Sequence, residues 1–221
     1  MNRSNVENHA EDGHYWISIS DLMTSLLFIF ILILAYTIFT FSQKSEAYEE
    51  NFKNRQQLLE ELQIELKKKH IDVDIDPQNG NMRLRSDAFF ALGSADLSTV
   101  GKSKISIIAQ EIANKMKDTR YKKAIDTIFI EGHTDNVPFD SFRGGRRWTN
   151  MELSAQRAIN TFLAMNASAG IGSLKNGSNR YLFSYSGYAE QRPIASNDSI
   201  NGRKQNRRIE FFFALASHKV Q

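Results

Sequence analysis

Two places in this sequence combine residue types that can do chemistry. The first is Asp21, at the edge of a long apolar run, since Leu22 to Gln43 contains no Asp, Glu, Lys or Arg. Ser18, Asp21 and Ser25 fall at i, i+3 and i+7, so they share one helical face, with Thr24 beside them. An ionised aspartate at mid-membrane costs roughly 2.5–3.5 kcal/mol on insertion scales, less toward the edge. Such a group can exchange a proton or bind a cation as its surroundings alternate between wet and dry. The plainer alternative is a carboxylate serving the N-terminal end of a helix, where the helix dipole favours negative charge. Against it, Ile17 and Ile19 precede Asp21, so the apolar segment has already begun.

The second place pairs Asp135 with Arg157. Asp135 follows a short apolar strand predicted over 125–131, and Arg157 lies in the first turns of a helix predicted over 151–166. Loops at strand ends near helix N-termini are where α/β folds place ligands. Ala158, Ile159, Phe162 and Leu163 are expected to face inward, which leaves Arg157 on the opposite, exposed side. An exposed Asp with an exposed Arg can hold a zwitterion, the carboxylate taking an ammonium and the guanidinium taking a carboxylate. Two ordinary solvated surface charges are the alternative.

The elements that must position these groups fall into four regions. Residues 1–15 form a short leader. Residues 16–42 form a span: a helix from Ile17 to Phe41 would be about 37 Å long, enough to cross a bilayer with some tilt. Tyr15 and Trp16 supply interfacial aromatics at its start. A cleaved signal peptide fits poorly, because Glu7, Glu11 and Asp12 precede the run and Phe39-Thr40-Phe41 is a poor cleavage site. The basic residues, Arg3 before the run and Lys44, Lys53 and Arg55 after it, lean weakly toward a cytoplasmic C-terminus.

Residues 43–70 read as a helical linker. Tyr48, Phe52, Arg55, Leu59, Leu62 and Leu66 follow a 4-3-4-3-4 spacing, a heptad seam with one Arg in it. Self-association and packing on the chain's own domain are both open. Residues 71–217 alternate strands and helices. A hairpin turns at Pro77-Gln78-Asn79-Gly80, a helix runs from Ser98 to Lys117, further strands cover 181–187 and 208–215, and Asn150 is expected to cap the 151–166 helix. The fold class is α+β: one N-terminal span, a helical linker, then a mixed sheet with helices on one side.

Composition removes other chemistries. There is no cysteine, which excludes thiolate metal sites and cysteine nucleophiles. A net charge of +3 argues against nucleic acid as a partner. There is no phosphate-binding loop and no nucleophile elbow. His9, His14, His70, His133 and His218 lack metal-ligand spacing, and Asp72, Asp74 and Asp76 are followed by Pro77 rather than the glycine of a calcium loop. No enzyme activity and no cofactor are expected.

Four motifs resemble a known family. Gly132-His133-Thr134-Asp135 resembles the GHTD signature of OmpA-like peptidoglycan-binding domains, and Asn150 to Ala158 matches their N-x-x-L-S-x-x-R-A helix. Gly187 to Pro193 and Asn206-Arg207-Arg208-Ile209-Glu210 match two later elements in the same order. The resemblance implies that Asp135 and Arg157 grip the diaminopimelate of a cell-wall stem peptide, with Thr134, Asn150 and Leu153 in the same motifs. It also implies a structural role for His133 and a periplasmic domain, which overrides the charge lean and puts the leader in the cytoplasm.

The insert at 141–148, with Arg143, Arg146 and Arg147 expected in a solvated loop, resembles stator B subunits. So does the W-x-x-x-x-D-x-M-T start at Trp16. Its S-x-S-D-L-M-T form is similar to the ZorB family of Zorya anti-phage defence systems. The implied function is an ion-driven inner-membrane motor subunit in defence, with Asp21 carrying H+ or Na+ and Ser18, Thr24 and Ser25 beside the ion path. The implied partners are a second copy and a surrounding ring of a multi-span ZorA- or MotA-like subunit. Residues 44–69 would be a plug or coiled coil. A flagellar stator and a passive tether from membrane to wall are the alternatives.

Overall fold

A computed structural model describes residues 4–91, 93–143 and 145–217. Residues 1–3 of the leader, with Arg3, and His218 lie outside the described residues. The chain divides into two compact units, one ending at Ala47 and one beginning at Tyr48.

Helix α1 (Ser4–Lys68) contributes to both units. It begins well before Ile17, because the leader carries no proline to stop it. It is, among the described residues, the one helix long and apolar enough to cross a membrane. Its side chains from Leu22 to Phe39 stand exposed, Leu26 at 67% and Phe30 at 61%, the opposite of a helix buried in a protein core. An uncovered apolar surface of this extent needs lipid or another protein around it. The threonine hydroxyls within the run are satisfied locally: Thr24, Thr37 and Thr40 donate to the carbonyls of Ser20, Leu34 and Thr37. Back-bonding of this kind lets polar side chains sit in an apolar medium.

The second unit is built on a five-stranded sheet. Strands β1 (Asp74–Asp76) and β2 (Asn81–Arg85) form the expected hairpin. Helices α2 (Thr99–Lys115) and α3 (Thr119–Ala124) lead into β3 (Ile125–Gly132). A small separate hairpin, β4 (Ser141–Arg143) and β5 (Arg146–Trp148), precedes α4 (Asn150–Ala169). Strand β6 (Phe183–Gly187), helix α5 (Ile200–Asn206) and strand β7 (Arg208–Leu215) complete the domain. The sheet order is β1-β2-β7-β3-β6. Only the β3–β6 pair is parallel, which requires a crossover, and α4 supplies it.

One core joins helices and sheet. Ile105, Ile108, Ile112 and Met116 pack with Met82, Leu84, Ile128, Ile130, Phe211 and Phe213. Leu59, Leu62 and Leu66 of α1 belong to the same cluster and are fully buried in it. The C-terminal part of α1 is thus a wall of this domain rather than a connector standing apart from it. Arg55, in the same seam, is also buried, donating to the carbonyls of Gln78 at 2.7 Å and Phe213 at 3.3 Å.

Three local expectations change. Thr149, not Asn150, caps α4: its hydroxyl accepts from Met151, and the Glu152 carboxylate accepts from the Thr149 N–H at 2.9 Å, a capping box. Leu163 is 55% exposed, and the buried face of α4 is Leu153, Ser154, Arg157, Ala158, Thr161 and Met165. The segment expected as a loop at 141–148 is the β4–β5 hairpin, in which Arg147 forms an exposed ion pair with Asp140 at 3.0 Å.

Candidate functional site

Strand β3 ends at Gly132, and the chain turns through His133, Thr134 and Asp135. Two backbone bonds fix this turn: His133 N–H to the Arg208 carbonyl at 3.0 Å and Thr134 N–H to the Ala189 carbonyl at 2.8 Å. Helix α4 passes close by, because Gly132 and Gly187 carry no side chain. A Cβ on Gly132 would lie 2.0 Å from the Ser154 carbonyl oxygen, and one on Gly187 would lie 2.3 Å from the Ala155 nitrogen. Glycine is required where backbones approach this closely.

That approach brings the first turns of α4 over the Asp135 turn. Asn150, Leu153 and Arg157, at i, i+3 and i+7, share one face. They line a cavity of about 560 Å³ with Thr134 and Asp135, so the wall-binding residues expected from sequence all meet there. Phe90, Val137, Pro138 and Phe139 supply apolar walls. The cavity lies within the size range of small-molecule sites. Asn150, released from capping, donates to the Val137 carbonyl at 3.1 Å and the Asp135 carbonyl at 3.4 Å, which ties the helix start to the turn.

The charged pair differs from the sequence expectation in one respect. Neither residue is exposed: Asp135 is 6% and Arg157 is 3% exposed. Arg157 belongs to the face of α4 that packs inward, where its Nε donates to the Ser94 carbonyl at 2.9 Å and its guanidinium lies over the Phe90 ring at 5.2 Å. Its Nη1 is buried without a hydrogen-bond partner. Burial, and then the neighbouring Arg207 guanidinium, push its pKa down to about 10, opposed by Asp135, so it stays cationic at neutral pH. A buried cation with an unused donor is costly, and a ligand oxyanion would satisfy it. Asp135 accepts from the Val137 N–H at 3.2 Å through one oxygen and from Arg207 through the other. The Thr134 hydroxyl is buried and also lacks a hydrogen-bond partner.

His133 points to the other side of the turn. It is 1% exposed, stacks on Tyr188 with ring centres 5.6 Å apart, and lies 3.6 Å from Glu131. Burial pushes its pKa down, partly offset by Glu131. It lines no part of the Asp135 cavity.

Sequence reasoning missed Arg207, Arg203, Ser86, Asp87 and Phe90, which line the same cavity. Arg207 was visible inside the Asn206-Arg207-Arg208 element. Its role depends on alternation: Arg208 opens β7, while Arg207 stands just outside the strand, facing Asp135.

Asp21 and its neighbours belong to the first unit, on the surface of α1. Ser18, Asp21, Thr24 and Ser25 are all exposed there, along the helical face their spacing predicts.

The α+β domain thus has helices packed on a mixed sheet and carries a buried Asp–Arg cavity at the end of an inner strand. The chain belongs to the OmpA family, whose model matches residues 89–207, more than half of the sequence. It is similar to Motility protein B of Bacillus subtilis, 31% identical over 127 residues, covering 58% of this chain and 42% of that protein. It is similar to Zorya protein ZorB of Escherichia coli, 32% identical over 133 residues, covering 56% of this chain and 55% of that protein. The chain thus spans about half the length of the curated relatives it matches. Among solved structures, a MotB-like protein from Desulfovibrio vulgaris superposes with a TM-score of 0.57 at 21% identity, covering 79% of this chain and 98% of that one. The cell wall anchor of the T6SS from Pseudomonas aeruginosa gives 0.51 at 24% identity, covering 71% and 96%. At these identities the structural likeness concerns the fold.

Proposed function

We propose that this protein is a stator-like anchor that fixes an inner-membrane motor complex to peptidoglycan. The single observation that carries the anchoring role is the shared cavity. Thr134, Asp135, Asn150, Leu153 and Arg157 converge on it from two separate motifs, and Arg157 presents a buried guanidinium nitrogen with no partner. The side-chain end of diaminopimelate carries an ammonium and a carboxylate on one carbon. Asp135 takes the ammonium, and Arg157 takes the carboxylate. No bond is made or broken, so the activity is binding rather than catalysis.

In this reading α1 crosses the inner membrane once, with the leader in the cytoplasm and the domain from Tyr48 onward in the periplasm. Asp21 carries the transported ion, a proton in the first instance. The transmembrane field supplies roughly 2.3 kcal/mol per charge per 100 mV. Two copies stand inside a ring of a ZorA- or MotA-like multi-span subunit, which supplies the surroundings that the exposed face of Asp21 requires. The S-x-S-D-L-M-T start from Ser18 supports a place in anti-phage defence, while the likenesses to Zorya protein ZorB and to Motility protein B are of equal strength. The anchoring step is tested by retention of the full-length protein on purified peptidoglycan. Asp135→Ala and Arg157→Ala should each release it, and undiminished retention of both variants would remove the role of the cavity.

A further inference from the structure

His133 is a buried titratable group that the binding cavity does not use. Its ring is 1% exposed, and both ring nitrogens are buried without a hydrogen-bond partner. Two carboxylates nevertheless converge on one of them. Nε2 lies 3.6 Å from Glu131 Oε2 and 3.8 Å from Glu210 Oε2, just beyond bonding reach. Glu131 and Glu210 are partners in register on β3 and β7. The surrounding arginines hold them unequally. Glu210 is paired with Arg208 at 2.7 Å and with Arg83 of β2 at 3.3 Å, whereas Glu131 has Arg192 at 3.5 Å. Tyr188 stacks on the imidazole, and the Arg192 guanidinium lies 3.7 Å over the Tyr188 ring. A neutral imidazole can rest here unbonded. An imidazolium has a charge and two N–H groups to satisfy, and Glu131 is the less committed carboxylate. To reach it, the Nε2 distance must close from 3.6 Å to the roughly 2.8 Å of a charge-assisted bond.

The ring cannot make that move alone. Tyr188 N–H donates to the Gly132 carbonyl at 2.9 Å, and Thr134 N–H donates to the Ala189 carbonyl at 2.8 Å. Ala189 N–H in turn donates to Ser154 Oγ of α4 at 3.0 Å. Ala189 is held at φ +49°, a left-handed conformation that strains an alanine and persists only where its surroundings enforce it. The 188–189 corner therefore braces the His133–Asp135 turn against α4. A ring drawn toward Glu131 leaves its stack on Tyr188 and slackens that brace. We propose that His133 is a proton switch on the wall-binding cavity: neutral, it keeps the turn in the binding arrangement, and protonated, it turns to Glu131 and loosens Thr134 and Asp135 from the ligand. This rests on the cavity being the peptidoglycan site and adds a regulation to it. Ligand and proton then favour different arrangements of one turn, so each weakens the other by the same factor. Burial lowers the His133 pKa from its ordinary 6.5, with Glu131 opposing, so the switch acts in acid below that value. Where the two exclude each other, affinity falls about tenfold per pH unit once His133 titrates.

The test measures binding of the full-length protein in detergent to purified peptidoglycan between pH 7.5 and pH 5. Thermal melts at each pH confine the comparison to folded protein. Wild-type affinity should fall about tenfold or more across this range. In His133→Gln the affinity should stay near its neutral-pH level throughout. In Glu131→Gln the fall should remain but move to lower pH, because the carboxylate that favours the imidazolium is gone. A packing defect would not move that midpoint, and this variant serves equally where the glutamine at 133 melts early. Constant wild-type affinity overturns the switch and leaves the anchoring function standing. The same fall in wild-type protein and His133→Gln overturns it too, and assigns the effect to titrating groups of the wall. An unmoved midpoint in Glu131→Gln overturns the pairing on which the switch depends. Failure of wild-type protein to bind at pH 7.5 overturns this inference together with the anchoring function.

Discussion

Gly132 of β3 and Gly187 of β6 are partners in register, and the backbone of α4 at Ser154 and Ala155 occupies the space that side chains on either would fill. This contact sets the height of α4 over the sheet, and with it the position of Arg157 over the Asp135 turn. The glycines act on the site without touching a ligand.

Gly187→Ala should therefore weaken both stability and binding. The new methyl group would meet backbone rather than a flexible side-chain tip, so α4 must shift to accept it. Overpacking of this kind typically costs about 1–3 kcal/mol. A thermal melt should show a lowered but cooperative transition, and retention on peptidoglycan at a temperature well below it should still fall. A folded variant with full retention would show that α4 does not set the cavity.

The seam on α1 gives a second expectation. Leu59, Leu62 and Leu66 are fully buried in their own domain, so they cannot also form a coiled-coil interface in this arrangement. Leu62→Ala should lower the stability of the domain by about 2–5 kcal/mol, as large-to-small changes in a core do. It should not convert dimers to monomers at temperatures where the domain remains folded. Chemical denaturation and sizing of the same sample separate these effects.

Much of this was legible in sequence, and the exceptions have physical causes. The hairpin at 74–85, helix α2 and strands β3 and β7 follow hydrophobic period and turn chemistry, both local signals. The partner of the α1 seam is not local, so heptad spacing alone left it open. Arg55 was the available hint: its guanidinium ends the seam on two backbone carbonyls of the same domain. The cap of α4 was also readable, because Thr149 and Glu152 have capping-box spacing. The burial of Arg157 was not. An arginine on the inward face runs against hydrophobic patterning, and only the carbonyl of Ser94 and the ring of Phe90, distant in sequence, make that position tolerable. The pairing of Arg207 with Asp135 likewise needed the β3–β7 register, which sequence does not supply.

His133 yields a prediction in pH. Burial lowers its pKa in the folded state below the ordinary value of 6.5. Below that ordinary value the unfolded chain binds a proton that the folded chain does not, so stability falls as pH drops from about 6.5 toward the depressed folded value. The slope is at most about 1.4 kcal/mol per pH unit for one group. His133→Gln removes this component. The loss of melting temperature between pH 7 and pH 5 should be smaller in the variant than in wild-type protein, and an unchanged difference would place the acid sensitivity elsewhere.

Asp21 separates a motor from a tether. An aspartate in an apolar span carries an insertion cost of roughly 2.5–3.5 kcal/mol when ionised at the centre. A passive link between membrane and wall gains nothing from that cost. Asp21→Asn keeps size and polarity but removes the group that exchanges an ion. On the motor reading the variant should insert in the membrane and remain on peptidoglycan as wild-type does, because the cavity proposed to hold the wall lies wholly in the second unit. Phage protection, or motility if the complex is flagellar, should be lost. Asp21→Glu should restore part of it, since the carboxylate is kept and only its reach changes. Full activity in the asparagine variant would leave the protein as an anchor without an ion path.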